Sequence, residues 1–156
     1  MSRPLPLAGI RVVEFSHMVM GPTCGLVLAD LGAEVIKVEP EGKGDPTRYL
    51  GSTGAGFFAA FNRNKKSVTL DLGSPEGVEA ARKLVAGADV LVENFRPGAL
   101  EAKGLGYAAL SAVNPRLVYC SLKGFLAGPY ERLPALGEVV QMMSGLAYMT
   151  RPVGRP

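Results

Sequence analysis

The sequence predicts an α/β fold: an open parallel sheet with helices covering both faces. Three observations predict it. Short β-branched runs alternate with helical stretches along the chain. Hydrophobic residues make up 47% and charged residues 20%, the balance of a folded domain and not of a disordered chain. The 20 glycines and 12 prolines, about a fifth of the 156 residues, follow no collagen period, so they belong to many turns and close approaches. The length suits one domain over residues 1–156.

Ile10–Phe15 is predicted as the first strand, and Pro22–Leu31 as a helix that starts on Pro22 and stops at Gly32. Ala33–Glu39 alternates apolar and polar residues as a second strand, and Ser67–Leu72 is a third. Ser74 caps the next helix, Pro75 fits its first position and Glu76 suits its positive end. Val78, Ala81 and Val85 form the buried stripe of that helix. Asp89–Glu93 is a fourth strand, Leu100–Val113 holds short helices broken at Gly104 and Gly106, and Leu117–Leu122 is a fifth strand. Leu136–Met149 is predicted as a helix of the core. No internal repeat, low-complexity tract or charge block interrupts this order.

Several function classes drop out. A net charge of +3 is too weak to argue for nucleic acid. Cys24 and Cys120 lack any CxxC or Cys/His neighbourhood, so no metal or redox motif is present and free thiols in a reducing cytoplasm are expected. Met1–Leu7 carries Arg3 and two prolines without an apolar core, unlike a signal peptide. No window approaches the roughly 18 apolar residues that would span a membrane.

In open parallel sheets, ligands bind beyond the carboxyl ends of the strands. Beyond the first strand, Ser16–Pro22 leads into a helix N-terminus that attracts phosphate or carboxylate. His17 there is either an anion donor or a packed, capping histidine. GxGxxG and GxxxxGK[ST] are both absent, which removes the main support for NAD-type and P-loop readings. Glu39–Arg48 is a long, charged, glycine-rich loop. Asn62–Lys66 is a short basic cluster, a solvated face or a phosphate contact. In Glu93–Gly98, Phe95 suits stacking on a base and Arg96 suits pairing with phosphate; the alternative is a helix-entry turn with Phe95 in the core. Lys123–Pro129 follows the fifth strand. Convergence of these loops on one edge points to a nucleotide-like ligand. His17 is the only histidine, and no Ser or Cys sits in a nucleophile elbow. Physical chemistry alone selects no nucleophile among Glu14, Glu39, Asp45, Asp71, Glu93 and Glu138.

At these residues the chain resembles the class III CoA-transferases, the family of formyl-CoA transferase, carnitine CoA-transferase and α-methylacyl-CoA racemase. The stretches that carry the resemblance are Leu7–Phe15, Gly21-Pro22, Leu31–Glu39, Gly44-Asp45, Asn62–Ser67, Leu70–Leu72, Ala88–Gly98 and Asn114–Leu117. They span nearly the whole chain in family order. The resemblance implies a Rossmann-like fold, the N-terminal portion of the family's large domain, and coenzyme A or acyl-CoA as substrate without a metal. It implies that His17, Val19 and Met20 face the pantetheine and thioester, that Leu70, Asp71, Leu72 and Gly73 line the CoA site, and that Asn94, Phe95 and Arg96 hold its nucleotide end. Pro40 and Ala102 stand where formyl-CoA transferase has arginines, and Lys103 is the substitute for the second. Family chemistry implies attack by an aspartate on the thioester, then a mixed anhydride and an aspartyl-CoA thioester. Glycine-loop N–H groups would stabilise the oxyanions. The resemblance puts that aspartate after Pro156, so no catalytic residue is expected within the chain. Gly137, beside Glu138, departs from relatives that carry an acid at this position.

The activity so implied moves CoA between an acyl-CoA and a small, dicarboxylic acid. An α-methylacyl-CoA racemase and a non-catalytic CoA-binding module from a truncated or split gene are the alternatives. Full-length members imply an interlocked homodimer, and a chain without the return segment would expose apolar surface.

Overall fold

A computed structural model describes residues 3–51, 54–150 and 152 of the protein. The chain forms two compact units, Met1–Leu122 and Lys123–Pro156. The first unit is built on five strands: β1 (Arg11–Phe15), β2 (Glu34–Pro40), β3 (Lys65–Leu70), β4 (Val90–Glu93) and β5 (Val118–Ser121). Its helices are α1 (Met20–Asp30), α2 (Gly54–Asn62), α3 (Pro75–Ala86) and α4 (Tyr107–Val113). The strand order is β3-β2-β1-β4-β5 and every pairing is parallel. Parallel neighbours need crossovers, which is why helices separate most of the strands. The order turns at β1: the chain moves outward through β2 and β3, then returns to lay β4 on the other side. A crevice opens at the carboxyl ends where such an order reverses.

The strand alternation feeds two cores. Val13, Phe15, Val38 and Leu91 pack with Ala81 and Val85 of α3 and Leu110 of α4. Val12, Val35 and Val92 pack on the other face with Ala29 of α1 and Ala33. Each fully buried Val or Leu contributes about 1.5–3 kcal/mol from area alone. α3 starts as its sequence predicts: the Ser74 hydroxyl accepts from the Gly77 N–H at 3.0 Å, with Pro75 at the first position.

Three expectations change. β3 starts two residues earlier than predicted, because Lys65 and Lys66 pair alongside Val35 and Ile36 and their charges are matched by acids on other elements. α2 carries no sequence signal: two glycines lower its propensity by about 1 kcal/mol each. Side-chain contacts support it instead: within the helix Phe57 meets Phe61 at 5.1 Å between centroids, and from outside it the Arg48 guanidinium lies 3.6 Å from the Phe58 ring centre. The predicted core helix Leu136–Met149 is two short helices of the second unit, α5 (Gly137–Met143) and α6 (Leu146–Thr150). Gly145, at φ +77°, breaks it. Neither helix has a buried residue, and Leu136, Met142, Met143, Tyr148 and Met149 are exposed. A unit this small cannot enclose them by itself. No described helix is long and apolar enough to cross a membrane.

Candidate functional site

Two cavities adjoin at the carboxyl ends of β1 to β4. One, of about 210 Å³, lies between Ser16 and His17 after β1 and Asp45 and Pro46 of the loop after β2. The other, of about 440 Å³, is bounded by Glu41 and Gly42 and by Leu70, Asp71 and Leu72 after β3. Val38, Glu39, Pro40 and Phe95 line both, so the two form adjoining parts of one groove with Phe95 at the junction.

The segment after β1 is held from its neighbours' side chains. The Asn94 side chain accepts from the His17 N–H at 3.0 Å and donates to the His17 carbonyl at 2.8 Å. Met18 follows at φ +63°, a left-handed conformation that costs a non-glycine residue about 1 kcal/mol or more and is tolerated where surroundings determine it. The His17 ring stacks on Phe95 with centroids 5.5 Å apart and planes 27° apart. Gly21 lets α1 start close by, since a Cβ there would overlap Ser16 and Asn94. Burial lowers the His17 pKa below 6.5; the Asp45 charge pulls it back up and Lys37 adds to the lowering. The ring is therefore neutral at pH 7, able to donate from one nitrogen and accept at the other.

Beneath the groove lies a buried charge network. Lys37 Nζ pairs with Asp45 at 2.9 Å and with Glu14 at 3.4 Å, and donates to the Ser16 carbonyl at 2.7 Å. Lys65 Nζ pairs with Glu14 at 2.8 Å and donates to the Pro22 carbonyl at 2.7 Å. Glu39 accepts from the Asp45 N–H, from Arg48 and from the Ser67 hydroxyl. Burial pushes the Glu39 carboxyl up, but those three donors outweigh it and hold its pKa at about 2. Asp45 is also held low against its burial by Thr47 and Lys37. Three acids and three bases thus balance below the site. Glu93, also buried, accepts from the Phe95 N–H and the Ser121 hydroxyl.

In the basic cluster Asn62–Lys66, Arg63, Asn64 and Lys66 are exposed, as one of the two readings expects, whereas the Lys65 ammonium is buried. Lys65 is buried on Glu14, Lys66 pairs with Glu34, and Arg63 and Asn64 bond Asp30. Of the residues predicted for the site, His17, Leu70, Asp71, Leu72 and Phe95 line the groove. Gly73 stands at its end, its N–H bonded to Asp71. Lys103 reaches the same edge and donates to the Leu72 carbonyl at 2.8 Å. Asn94, Arg96, Val19 and Met20 line neither cavity; Arg96 is exposed on the loop after β4, and Val19 and Met20 are exposed where α1 begins. Sequence reasoning missed Asp45 and Pro46 as a wall. The signal was Gly44-Asp45-Pro46, a turn whose aspartate caps the following 3-10 turn through Thr47 at 2.8 Å.

The sequence model of CoA-transferase family III matches residues 7–156. The chain belongs to CoA-transferase family III. It is 45% identical to the succinyl-CoA–D-citramalate CoA-transferase of Chloroflexus aurantiacus over 98% of this chain and 39% of that protein. It is 44% identical to the succinate–glutarate CoA-transferase of Agrobacterium fabrum, over 99% of this chain and 42% of that one. The crystal structure of a CAIB/BAIF family protein from Brucella suis superposes with a TM-score of 0.92 at 43% identity, covering 98% of this chain and 43% of the other. The family III chain thus spans about two-fifths of the length of the curated relatives it matches.

Proposed function

We propose that these residues form the CoA-binding part of an acyl-CoA:carboxylate CoA-transferase. The observation that carries this reading is the groove at the turning point of the strand order, lined by residues of a family III chain. The segment His17–Met20 faces the pantetheine and thioester, with His17 in the groove and Val19 and Met20 exposed beyond it; Leu70–Gly73 lines the chain of the ligand, and Phe95 offers a ring face. Arg96 and Lys103, both exposed, serve the phosphates. Asn94 acts through the His17 backbone. CoA and a small carboxylic acid are the partners, and two chains pair as a homodimer. The named substrates of the relatives, succinyl-CoA with citramalate and succinate with glutarate, support a dicarboxylic acceptor.

The chemistry is carboxylate exchange. An aspartate attacks the thioester carbonyl, CoA leaves as a thiolate, and a mixed anhydride forms. The thiolate then attacks the aspartyl carbonyl, frees the donor's carboxylate and leaves an aspartyl-CoA thioester, which the acceptor acid opens by the reverse steps. We place this aspartate outside residues 1–156. Glu14, Glu39, Asp45 and Glu93 are buried and held in ion pairs or hydrogen bonds, which supports a nucleophile elsewhere.

Calorimetric titration of the 156-residue chain with CoA tests the reading. Binding is expected, weakened several-fold by Phe95→Ala and by Lys103→Ala. Absence of binding at millimolar CoA would sink it. Transfer from succinyl-CoA to glutarate by this chain alone would instead overturn the placement of the nucleophile.

A further inference from the structure

Lys37 lies on β2, faces Glu14 across the β1–β2 pairing, and is 1% exposed. It lines neither cavity, and nothing in the proposed chemistry uses it. Yet its one ammonium reaches both walls of the smaller cavity. It donates to the Ser16 carbonyl at 2.7 Å, one residue before His17, and it pairs with Asp45 at 2.9 Å on the opposite wall. A buried ammonium has strong reason to keep such partners, since leaving it unpaired is strongly destabilising. It is therefore a rigid cross-brace between two chain segments that the sheet alone does not join.

We propose that Lys37 is a positioning residue for the reaction: it sets the width of the cavity between the His17 segment and the Asp45 loop. The inference rests on the CoA-binding reading of that groove. Lys37 touches no substrate; it acts through Ser16 and Asp45. A misplacement of even about 1 Å in such a wall can cost up to 100-fold in a positioned step.

The test separates position from stability. Lys37→Met alone leaves Asp45 buried without its cation, so the decisive variant is Lys37→Met with Asp45→Asn, which removes both charges and leaves Lys65 on Glu14. His17 is the only histidine, so its ring signals in an NMR spectrum are unambiguous; read well above its titration, where loss of the Asp45 charge leaves its protonation unchanged, they report the wall. The double variant is expected to melt near the unmodified chain, to bind CoA at least about tenfold more weakly, and to show displaced His17 signals. Unchanged CoA affinity and unmoved His17 signals in a folded double variant would overturn the proposal. If the double variant does not fold, Asp45→Asn alone decides. It keeps the hold on Ser16 and frees the loop, so intermediate weakening supports the brace, and unaltered binding refutes it. Should the unmodified chain fail to bind CoA, the function reading falls, and the His17 signals still decide whether Lys37 holds the wall.

Discussion

The two faces of one sheet are stabilised by different physics. The face under α3 and α4 is mostly apolar: Val13, Phe15, Val38 and Leu91 meet Ala81, Val85, Leu105 and Leu110, with Glu93 buried beside Phe15 at the end of β4. The face under α1 is apolar near the start of β1 and β2, at Val12 and Val35, and ionic toward their carboxyl ends, at Glu14, Lys37 and Glu39, with Lys65 reaching Glu14 from the start of β3. Apolar packing tolerates small shifts, because area has no direction. Ion pairs in a buried setting fix partners and distances. The ionic part lies directly below the groove, so the side of the sheet that is costlier to assemble is also the one that fixes the walls of the site.

The largest expected effect breaks the ionic face. Glu14→Ala removes the acid shared by two buried lysines, and about 3–5 kcal/mol of stability should go with it. Leu91→Ala on the opposite face should cost a similar amount, about 2–5 kcal/mol. Urea denaturation at several pH values tells them apart. The Leu91→Ala loss should not vary with pH, whereas the Glu14→Ala loss should shrink at high pH, where a lysine can shed its proton. A pH-independent Glu14→Ala loss would show that packing, not charge, sets the cost. Next comes Gly25→Ala. A Cβ there would overlap the Glu14 carboxylate, so about 1–3 kcal/mol is expected. The same exchange at Gly137, where the nearest heavy atom is 3.9 Å away, should be nearly neutral. Equal melting temperatures for the two variants would mean that α1 can move off β1.

The apolar face was legible in the sequence, and the ionic one was not. β-branched runs mark β1, β2 and β4 because burial on both faces selects them. Glu14 and Lys37 instead look like outward positions of alternating strands, and Lys65 looks like part of a basic cluster before the third strand. Their burial depends on α1 covering that face, and their pairing depends on β1, β2 and β3 lying side by side in that order, information that no local window holds. The site divides likewise. His17 and Phe95 follow from strand ends, and Leu70–Leu72 from the resemblance to the family. The Asp45 wall needs a loop folded back by Glu39 and Lys37, and Asn94 turned inward to the His17 backbone where its sequence suggested a ligand contact.

A milder probe of the comparison is acid. Glu39 has a folded pKa of about 2 against an ordinary value of 4.5. A depressed carboxyl stabilises the fold above the unfolded value, and that contribution is lost as pH falls from about 4.5 toward 2. Asp45 is shifted in the same direction. Stability from denaturant curves should therefore fall through this window, and Glu39→Gln should flatten the fall. An equally steep fall in Glu39→Gln would assign the acid sensitivity to other carboxylates. Arg48 is partly exposed, so salt should weaken this pair more than the Lys37 pair.

The smallest effect is also the most local. His17 is held below 6.5 by burial, with Asp45 raising it and Lys37 lowering it. The unfolded chain therefore binds the proton more readily than the folded one, so stability rises with pH through the window below 6.5 and is lost on acidification there. An NMR titration of the single histidine should give a midpoint under 6.5. Asp45→Asn should move that midpoint further down, because it removes the charge that favours the imidazolium. Phe95→Ala should move it up, because opening the stacked face lets water reach the ring. A midpoint at the ordinary value in the unmodified chain would mean that the His17 ring stands in solvent, away from Phe95. In that case the ionic face would not shape the groove at His17, and the two faces would differ in stability alone.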